Sequence, residues 1–286
     1  MENTIGNKET DLKSILVPTD FSNCANAAAD YAIQLAQLAG AEVHFLHLQE
    51  TPVNWIKLSK EKEKRYPETL RAIGHAKSEL SKWVRKAEKA GLKAERFLVF
   101  DTGKDEIVRH LEAHQHDFLV MGSQGTDGLE EKLIGSNAQQ VLRRATVPVL
   151  IIKKPIFRPV RNILFVSDFT DISSASFHQL TSFADLIEAH IDLLFVNTPD
   201  QFTASAETDR NMDRLMAHCH REDSCTRNVV NAETVEDGVK AFIRQQSMDL
   251  IAICTHGKSG LRQLFSPSIA EQVANHSILP VLSLRL

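Results

Sequence analysis

The chain repeats itself, and that constrains its fold more than any other feature. Lys13-Ser-Ile-Leu-Val-Pro-Thr-Asp-Phe-Ser22 returns as Arg161-Asn-Ile-Leu-Phe-Val-Ser-Asp-Phe-Thr170, an offset of 148 from Asp20 to Asp168. Glu42–Leu48 returns as His190–Val196 at the same offset. Asp117-Phe-Leu-Val-Met-Gly-Ser-Gln-Gly125 returns as Asp249-Leu-Ile-Ala-Ile-Cys-Thr-His-Gly257, now at an offset of 132. The halves also end alike, with Thr146-Val-Pro-Val-Leu-Ile-Ile152 against Ile278-Leu-Pro-Val-Leu-Ser-Leu284. A period of this size means two copies of one unit. The 286 residues divide as 1–153, a linker over 154–160, and 161–286. The change of offset places a longer segment in the first copy, after its second strand.

Each copy alternates strand and helix. Ser14–Val17 and Val43–Leu48 are nearly continuous apolar runs, as strands buried on both faces must be. Between them Ala27, Ala28, Tyr31, Ala32, Leu35, Ala36 and Leu38 recur at helical spacing, and Gly40 suits the stop. Glu68–Ala90 reads as a charged helix with Leu70, Ile73, Leu80, Val84 and Ala87 along one stripe. Phe118–Met121 and Val147–Ile152 continue the alternation, which predicts an α/β fold built on a parallel sheet with right-handed crossovers. The last strand of each copy carries a proline, Pro148 or Pro280, and proline belongs at a sheet edge. An apolar edge such as Val149–Ile152 invites aggregation unless covered. The economical cover is the other copy, so the two halves are expected to pair edge to edge within the chain.

Composition excludes several function classes. Apolar residues make up 43% and the formal net charge is −4, so there is no basic field for nucleic acid. No apolar run approaches the 18 or more residues of a membrane span. The amino terminus is polar and lacks the apolar core of a secretory leader, so a cytoplasmic protein is expected. Four cysteines do not make a disulfide framework in a chain this long, and reduced thiols are expected.

The chemistry concentrates after Phe118–Met121. There the first copy reads Gly122-Ser-Gln-Gly125, then nine residues, then Gly135-Ser136 opening a helix. Open α/β sheets bind ligands beyond the carboxyl ends of their strands, at the switch point of strand order. Gly122 and Gly125 let a ligand approach the backbone, and Gly135-Ser136 offers amides and a hydroxyl at a helix start, where an anion is favoured. Asp20, just past the first strand, faces the same crevice. Together these residue types propose a mononucleotide.

Val17-Pro-Thr-Asp-Phe-Ser22, His47-Leu48 and Gly122-x2-Gly125-x9-Gly135-Ser136 resemble the universal stress protein family, in its ATP-binding branch, and the resemblance covers both halves. It implies two tandem five-stranded, Rossmann-like parallel-sheet domains, related to the adenine nucleotide alpha hydrolases and paired through their last strands. It implies that Pro18, Thr19 and Asp20 contact the adenosine end and that Leu48 offers backbone to adenine. Met121, Gly122 and Gly125 would line ribose and phosphate, and Gly135, Ser136, Asn137 and Ala138 would hold the phosphates. ATP, or AMP or ADP, is the implied ligand, with magnesium or manganese accompanying the phosphates. A homodimer of the whole chain stays open. The second copy departs from the pattern: Cys254 and Pro267 replace the first and third glycines, and only Asp168, Gly257 and Ser268 keep the family types. That half is expected to bind ATP weakly or not at all.

Other signals are weaker. Ala252-x4-Gly257-Lys258-Ser259 fits a loose phosphate-loop pattern, but Ala252 falls inside a strand. His218-Cys219-His220 with Cys225 could offer soft ligands to a metal, at no standard spacing. His110, His114 and His116 gather near a helix end, where imidazolium suits the dipole. Cys24 near a helix start could be a redox-sensing thiol. No catalytic constellation stands out, with neither a Gly-x-Ser-x-Gly elbow nor a His-Glu-x2-His zinc helix. The leading expectation is therefore a nucleotide-dependent stress-response switch. A slow ATPase or self-phosphorylating enzyme using the same pocket, and a scaffold or sensor of another ligand, are the alternatives.

Overall fold

The structure is a computed structural model that describes residues 12–100, 105–123, 135–169, 174–200, 202–219, 221, 224–255 and 277–285. Gly125, His220, Gly257, Lys258, Ser259, Pro267 and Ser268 lie outside the described residues. The first half runs β1 (Ser14–Pro18), α1 (Asn23–Ala39), β2 (Glu42–Gln49), α2 (Lys60–Glu63), α3 (Pro67–Lys89), β3 (Ala94–Phe100), α4 (Glu106–Ala113), β4 (Phe118–Gly122), α5 (Ser136–Arg144) and β5 (Val149–Ile152). The second half runs β6 (Asn162–Val166), α6 (Ser174–Leu186), β7 (His190–Asn197), α7 (Ser205–Met216), β8 (Cys225–Asn231), α8 (Val235–Gln245), β9 (Leu250–Thr255) and β10 (Val281–Arg285). The extra length of the first copy is α2 and a longer α3, of 23 residues where α7 has 12.

The ten strands form one sheet, in the order β3-β2-β1-β4-β5-β10-β9-β6-β7-β8. Every pairing within a half is parallel, and β5 meets β10 antiparallel, so two five-stranded units share one continuous ladder. Edge-to-edge pairing within the chain is thus realised. The two prolines stand just outside the strands rather than in them: Pro148 and Pro280 lend only their carbonyls, to Leu119 and Ile251. β5 and β10 therefore lose no ladder donor and can sit mid-sheet.

Alternate residues of each strand face opposite layers. Ile15, Val17, Val43, Phe45, Phe118, Val120, Phe165 and Leu282 join α1, α6 and α7 in one core, which runs unbroken through both halves. Leu16, Leu46, Leu119, Met121, Val149, Ile151 and Val281 join α4, α5 and α8 in the other. The stack of Phe118 on Phe183, 5.8 Å between centroids and 6° from parallel, packs a first-half strand against a second-half helix. α1 is lined with buried alanines (Ala28, Ala29, Ala32, Ala36), so its backbone lies close to the sheet, and Gly40 ends it at φ 70°.

Two aspartates of the repeat do structural work at the opposite end from the glycine loop. The Asp117 carboxylate accepts the amides of Lys13 and Ser14, both at 3.0 Å, and Asp249 accepts those of Arg161 and Asn162 at 3.0 and 3.1 Å.

The expectation of reduced cysteines is corrected: Cys219 and Cys225 form a disulfide. Their Cα atoms, six positions apart in sequence, lie 6.5 Å apart, inside bridging range. A count of cysteines carries no information about that approach.

Candidate functional site

β1 and β4 are neighbours, with Ile15 opposite Phe118 and Leu16 opposite Leu119, and the chain leaves them on opposite faces. β1 leads into α1 on one face, and the stretch after β4 leads into α5 on the other. The divergence opens a crevice at the carboxyl ends of these strands, where such sheets take ligands.

One wall is a tight turn. The main-chain amide of Thr19 donates to Leu46 carbonyl at 2.8 Å, and its hydroxyl accepts the amide of Phe21 at 3.0 Å. Asp20 Oδ1 accepts the amide of Ser22 at 3.0 Å, and Ser22 caps α1 by accepting from Ala25. Phe21 pays for this turn with a left-handed backbone, φ 66°, unusual for a bulky residue. The second copy repeats it: Phe169 has φ 60° and donates its amide to Ser167 Oγ at 3.1 Å. The repeated Asp-Phe pair was the sequence signal for this turn, and it does not read as strain until the backbone is built.

Phe21 stacks on His47, 4.5 Å between centroids, and its edge meets His75. His47 Nδ1 lies 2.7 Å from Thr19 carbonyl, which can only accept, so Nδ1 carries the proton. Burial pushes the His47 pKa below its ordinary value, against the opposing pull of that hydrogen bond and of Asp20. The sequence motifs include Phe21 and His47 but assign them no contact, and nothing in the sequence points to His75.

The opposite wall is α5. Gly135 is its N-cap and has no side chain to cap it, so the first-turn amides have no intrahelical acceptor. Ser136 and Asn137 are exposed and Ala138 is buried. Gly135 differs from expectation: its own amide donates to Ser123 carbonyl at 2.7 Å, and Ser123 in turn donates to Ile152 carbonyl at 2.9 Å. The cradle on this wall therefore begins at Ser136.

Gly122 also differs. A Cβ there would lie 2.8 Å from both the Ala25 nitrogen and the Cys24 carbonyl carbon, backbone atoms of α1. This glycine is required for strand and helix to touch, whatever binds nearby. Cys24 donates to Lys153 carbonyl at 3.2 Å, which closes the floor around β5. Thr19 and Met121 are buried, Pro18 ends β1, and half-buried Leu48 lies on β2 opposite Val99. The structure thus brings Asp20, Gly122, Ser136 and Asn137 to one end of the sheet, and turns Met121 inward.

In the second copy Cys254 stands at the place of Gly122, 4% exposed, and burial with the nearby Asp168 carboxylate pushes its thiol up to about 12. Ala252 is fully buried within β9, which removes the phosphate-loop reading of its segment. Among the described residues no three His, Cys, Asp or Glu side chains are grouped to hold a metal ion. The sulfurs of Cys219 and Cys225 are occupied by each other. No helix among the described residues is long and apolar enough to cross a membrane.

The universal stress protein family model matches residues 12–153 and again 159–285. A universal stress protein of Methanocaldococcus jannaschii is 33% identical over 156 residues, which covers 54% of this chain and 90% of the relative. A second from the same organism is 29% identical over 154 residues, covering 50% of this chain and 95% of the relative. The crystal structure of a universal stress protein from Archaeoglobus fulgidus has the same fold, with a TM-score of 0.72 at 19% identity over 95% of this chain and 98% of that one.

Proposed function

The chain belongs to the universal stress protein family in both of its halves, and from that premise we propose that the first half binds ATP, or AMP or ADP, as a nucleotide-dependent switch. Pro18, Thr19 and Asp20 hold the adenosine end, with Leu48 offering backbone to the base. Gly122 and Gly125 line the ribose and phosphate, and Ser136, Asn137 and Ala138 hold the phosphates, whereas the Gly135 amide is given to Ser123 and Met121 is turned into the core. The observation that carries this reading is the amino terminus of α5. Its N-cap, Gly135, has no side chain to cap it, its first residue, Ser136, is exposed, and it lies on the face of the sheet opposite α1, the helix that follows Asp20. Amides at a helix start favour an anion, and the crevice is where the strand order reverses.

Magnesium or manganese bound with the nucleotide would be held chiefly by phosphate oxygens, since the described residues supply no ligand cluster of their own. The second half acts as a partner without a nucleotide, because Cys254 fills the position of Gly122. Bound nucleotide biases whichever arrangement of the chain holds it better, in the cytoplasm where ATP is abundant.

The test uses charge instead of bulk. Ser136→Glu suits the first turn of a helix, so α5 persists, while its carboxylate repels phosphate. Calorimetric titration with ATP is expected to show affinity falling by about tenfold or more, the scale of 1.4 kcal/mol. Equal affinity in both proteins, or nucleotide recovered from an isolated second half, overturns the assignment. Gly122→Val does not test it, because α1 would be displaced in the free protein.

A further inference from the structure

At the far end of the first half from the crevice, four histidines from three segments meet. His44 stands on β2, His110 on α4, His114 just after it, and His116 on the approach to β4. His44 Nδ1 lies 2.9 Å from His116 Nε2, so one ring donates and the other must be neutral to accept. His110 lies 4.2 Å from His114 and 5.8 Å from His116, between ring centroids. Phe97 of β3 closes the cluster, 5.7 Å from His44, 4.6 Å from His110 and 4.9 Å from His114. His110 is 9% exposed and His116 is 3% exposed. Three ring nitrogens, His44 Nε2, His110 Nε2 and His116 Nδ1, are buried with no hydrogen-bond partner.

We infer that the buried rings of His110 and His116, packed against His44 and Phe97, form a proton-operated clasp, which holds α4 to the sheet while those two rings are neutral and releases it when they take up protons.

The physical case starts from burial. A neutral imidazole can leave one nitrogen dry at modest cost, whereas an imidazolium must satisfy two donors and bear a charge among apolar neighbours. Burial first, and the neighbouring imidazoles second, push His110 down to about 4 from the usual 6.5. Burial and His44 do the same to His116, against the backbone bond to Leu111 and the charge of Asp117. The helix-end position, which by itself favours imidazolium, is thus overruled by packing.

The charges around the cluster do not remove the strain. Glu42 on β2 sets Oε2 3.7 Å from His44 Nε2 while its Oε1 accepts from Lys93, so its charge serves His44 and not the buried His110 and His116. Asp117 is committed to the amides of Lys13 and Ser14. On α4, Glu106 pairs with Arg109, and Glu112 is exposed. Glu95 of β3 is exposed, and Asp105, ahead of α4, binds Gln140 and Arg144 of α5. That last contact joins the start of α4 to α5.

The second half supplies the control. At the places of His44, His110, His114 and His116 it has Asp192, Phe242, Gln246 and Met248, by the offsets of 148 and 132. Phe242 and Met248 are buried in the core beneath α8. The same fold therefore accepts apolar groups where the first half keeps titratable ones.

Hydrogen exchange of the full chain, corrected for the intrinsic effect of pH, tests the clasp at about pH 7.5 and about pH 5, on either side of the usual histidine value. The expected result is that α4 loses protection by about tenfold or more at the lower pH while α8 keeps its own, since one unit of pKa difference is tenfold. The double variant His110→Phe with His116→Met, which copies the second half, is expected to keep α4 protected at both values. Unchanged α4 protection in the wild type, equal loosening of α4 and α8, or a variant that responds like the wild type overturns the inference. Should that variant fail to fold, the imidazole resonances of the wild type decide. His110 and His116 are expected to titrate well below 6.5, and ordinary titration of both overturns the clasp.

Discussion

Leu150 and Leu282 occupy the same position of the two copies and lie directly opposite each other where β5 meets β10. Their flanking pairs, Ile151 with Val281 and Val149 with Ser283, are related in the same way. A local two-fold axis thus passes through the junction, as at the interface of a symmetric dimer. Lys153 and Arg285, again equivalent, reach across it in both directions. Lys153 Nζ donates to Ser277 carbonyl, and Arg285 Nη1 donates to Ala145 carbonyl at 2.7 Å, where 277 and 145 are themselves equivalent positions.

Because the junction is self-complementary, the first half produced alone, as residues 1–157, is expected to form a dimer with Leu150 facing Leu150. Analytical ultracentrifugation reads the mass. A monomer at micromolar concentration would show that the Leu150–Leu282 register needs features of the second copy.

Gly122→Ala is expected to destabilise the protein by about 2 kcal/mol or more, since its Cβ meets backbone that cannot rotate away. Urea unfolding without any nucleotide measures it. An unchanged midpoint would mean that α1 shifts freely, and would return Gly122 to a purely ligand-related role.

Phe21 and Phe169 share a left-handed backbone but differ in burial, for Phe169 is fully buried and Phe21 is not. Replacement by glycine relieves the same strain at both. Phe21→Gly should therefore cost at most about 1 kcal/mol, while Phe169→Gly should cost about 3 kcal/mol or more through the cavity it leaves. Equal losses would place the main cost in the backbone turn instead of the core.

Burial lowers the Lys153 amine to about 8 from its usual 10.5. Between those values the unfolded chain binds more protons, so this group adds stability as pH rises from about 8 towards 10.5. Lys153→Met should flatten that part of the stability–pH curve. An identical slope in both proteins would show the amine to be solvated.

The Cys219–Cys225 bridge closes a short loop, for which chain entropy suggests about 2 kcal/mol. Reduction should lower the urea midpoint by the corresponding amount and leave the signal of the folded baseline intact. No change on reduction would mean that the turn holds without its bridge.

The sequence alone determined the duplication, the alternation of strand and helix, and the end of the sheet to which Asp20, Gly122 and Ser136 belong. Those features are written in local periodicity and in repeated strings such as Ile-Leu-Val-Pro-Thr-Asp-Phe, because buried parallel strands need continuous apolar runs and a helix start needs its cap. Tertiary structure alone decided which neighbours each residue meets. Gly122 is fixed by the backbone of α1 more than 95 residues earlier in the chain, Gly135 spends its amide on Ser123, and Cys219 finds Cys225. Likewise the sequence places His110 and His116 where imidazolium suits the helix dipole, and only the assembled fold shows them buried beside His44, from another strand, and Phe97. Periodicity records the face a residue turns to the core, and only the assembled sheet brings together groups that are distant along the chain and sets their distances and desolvation.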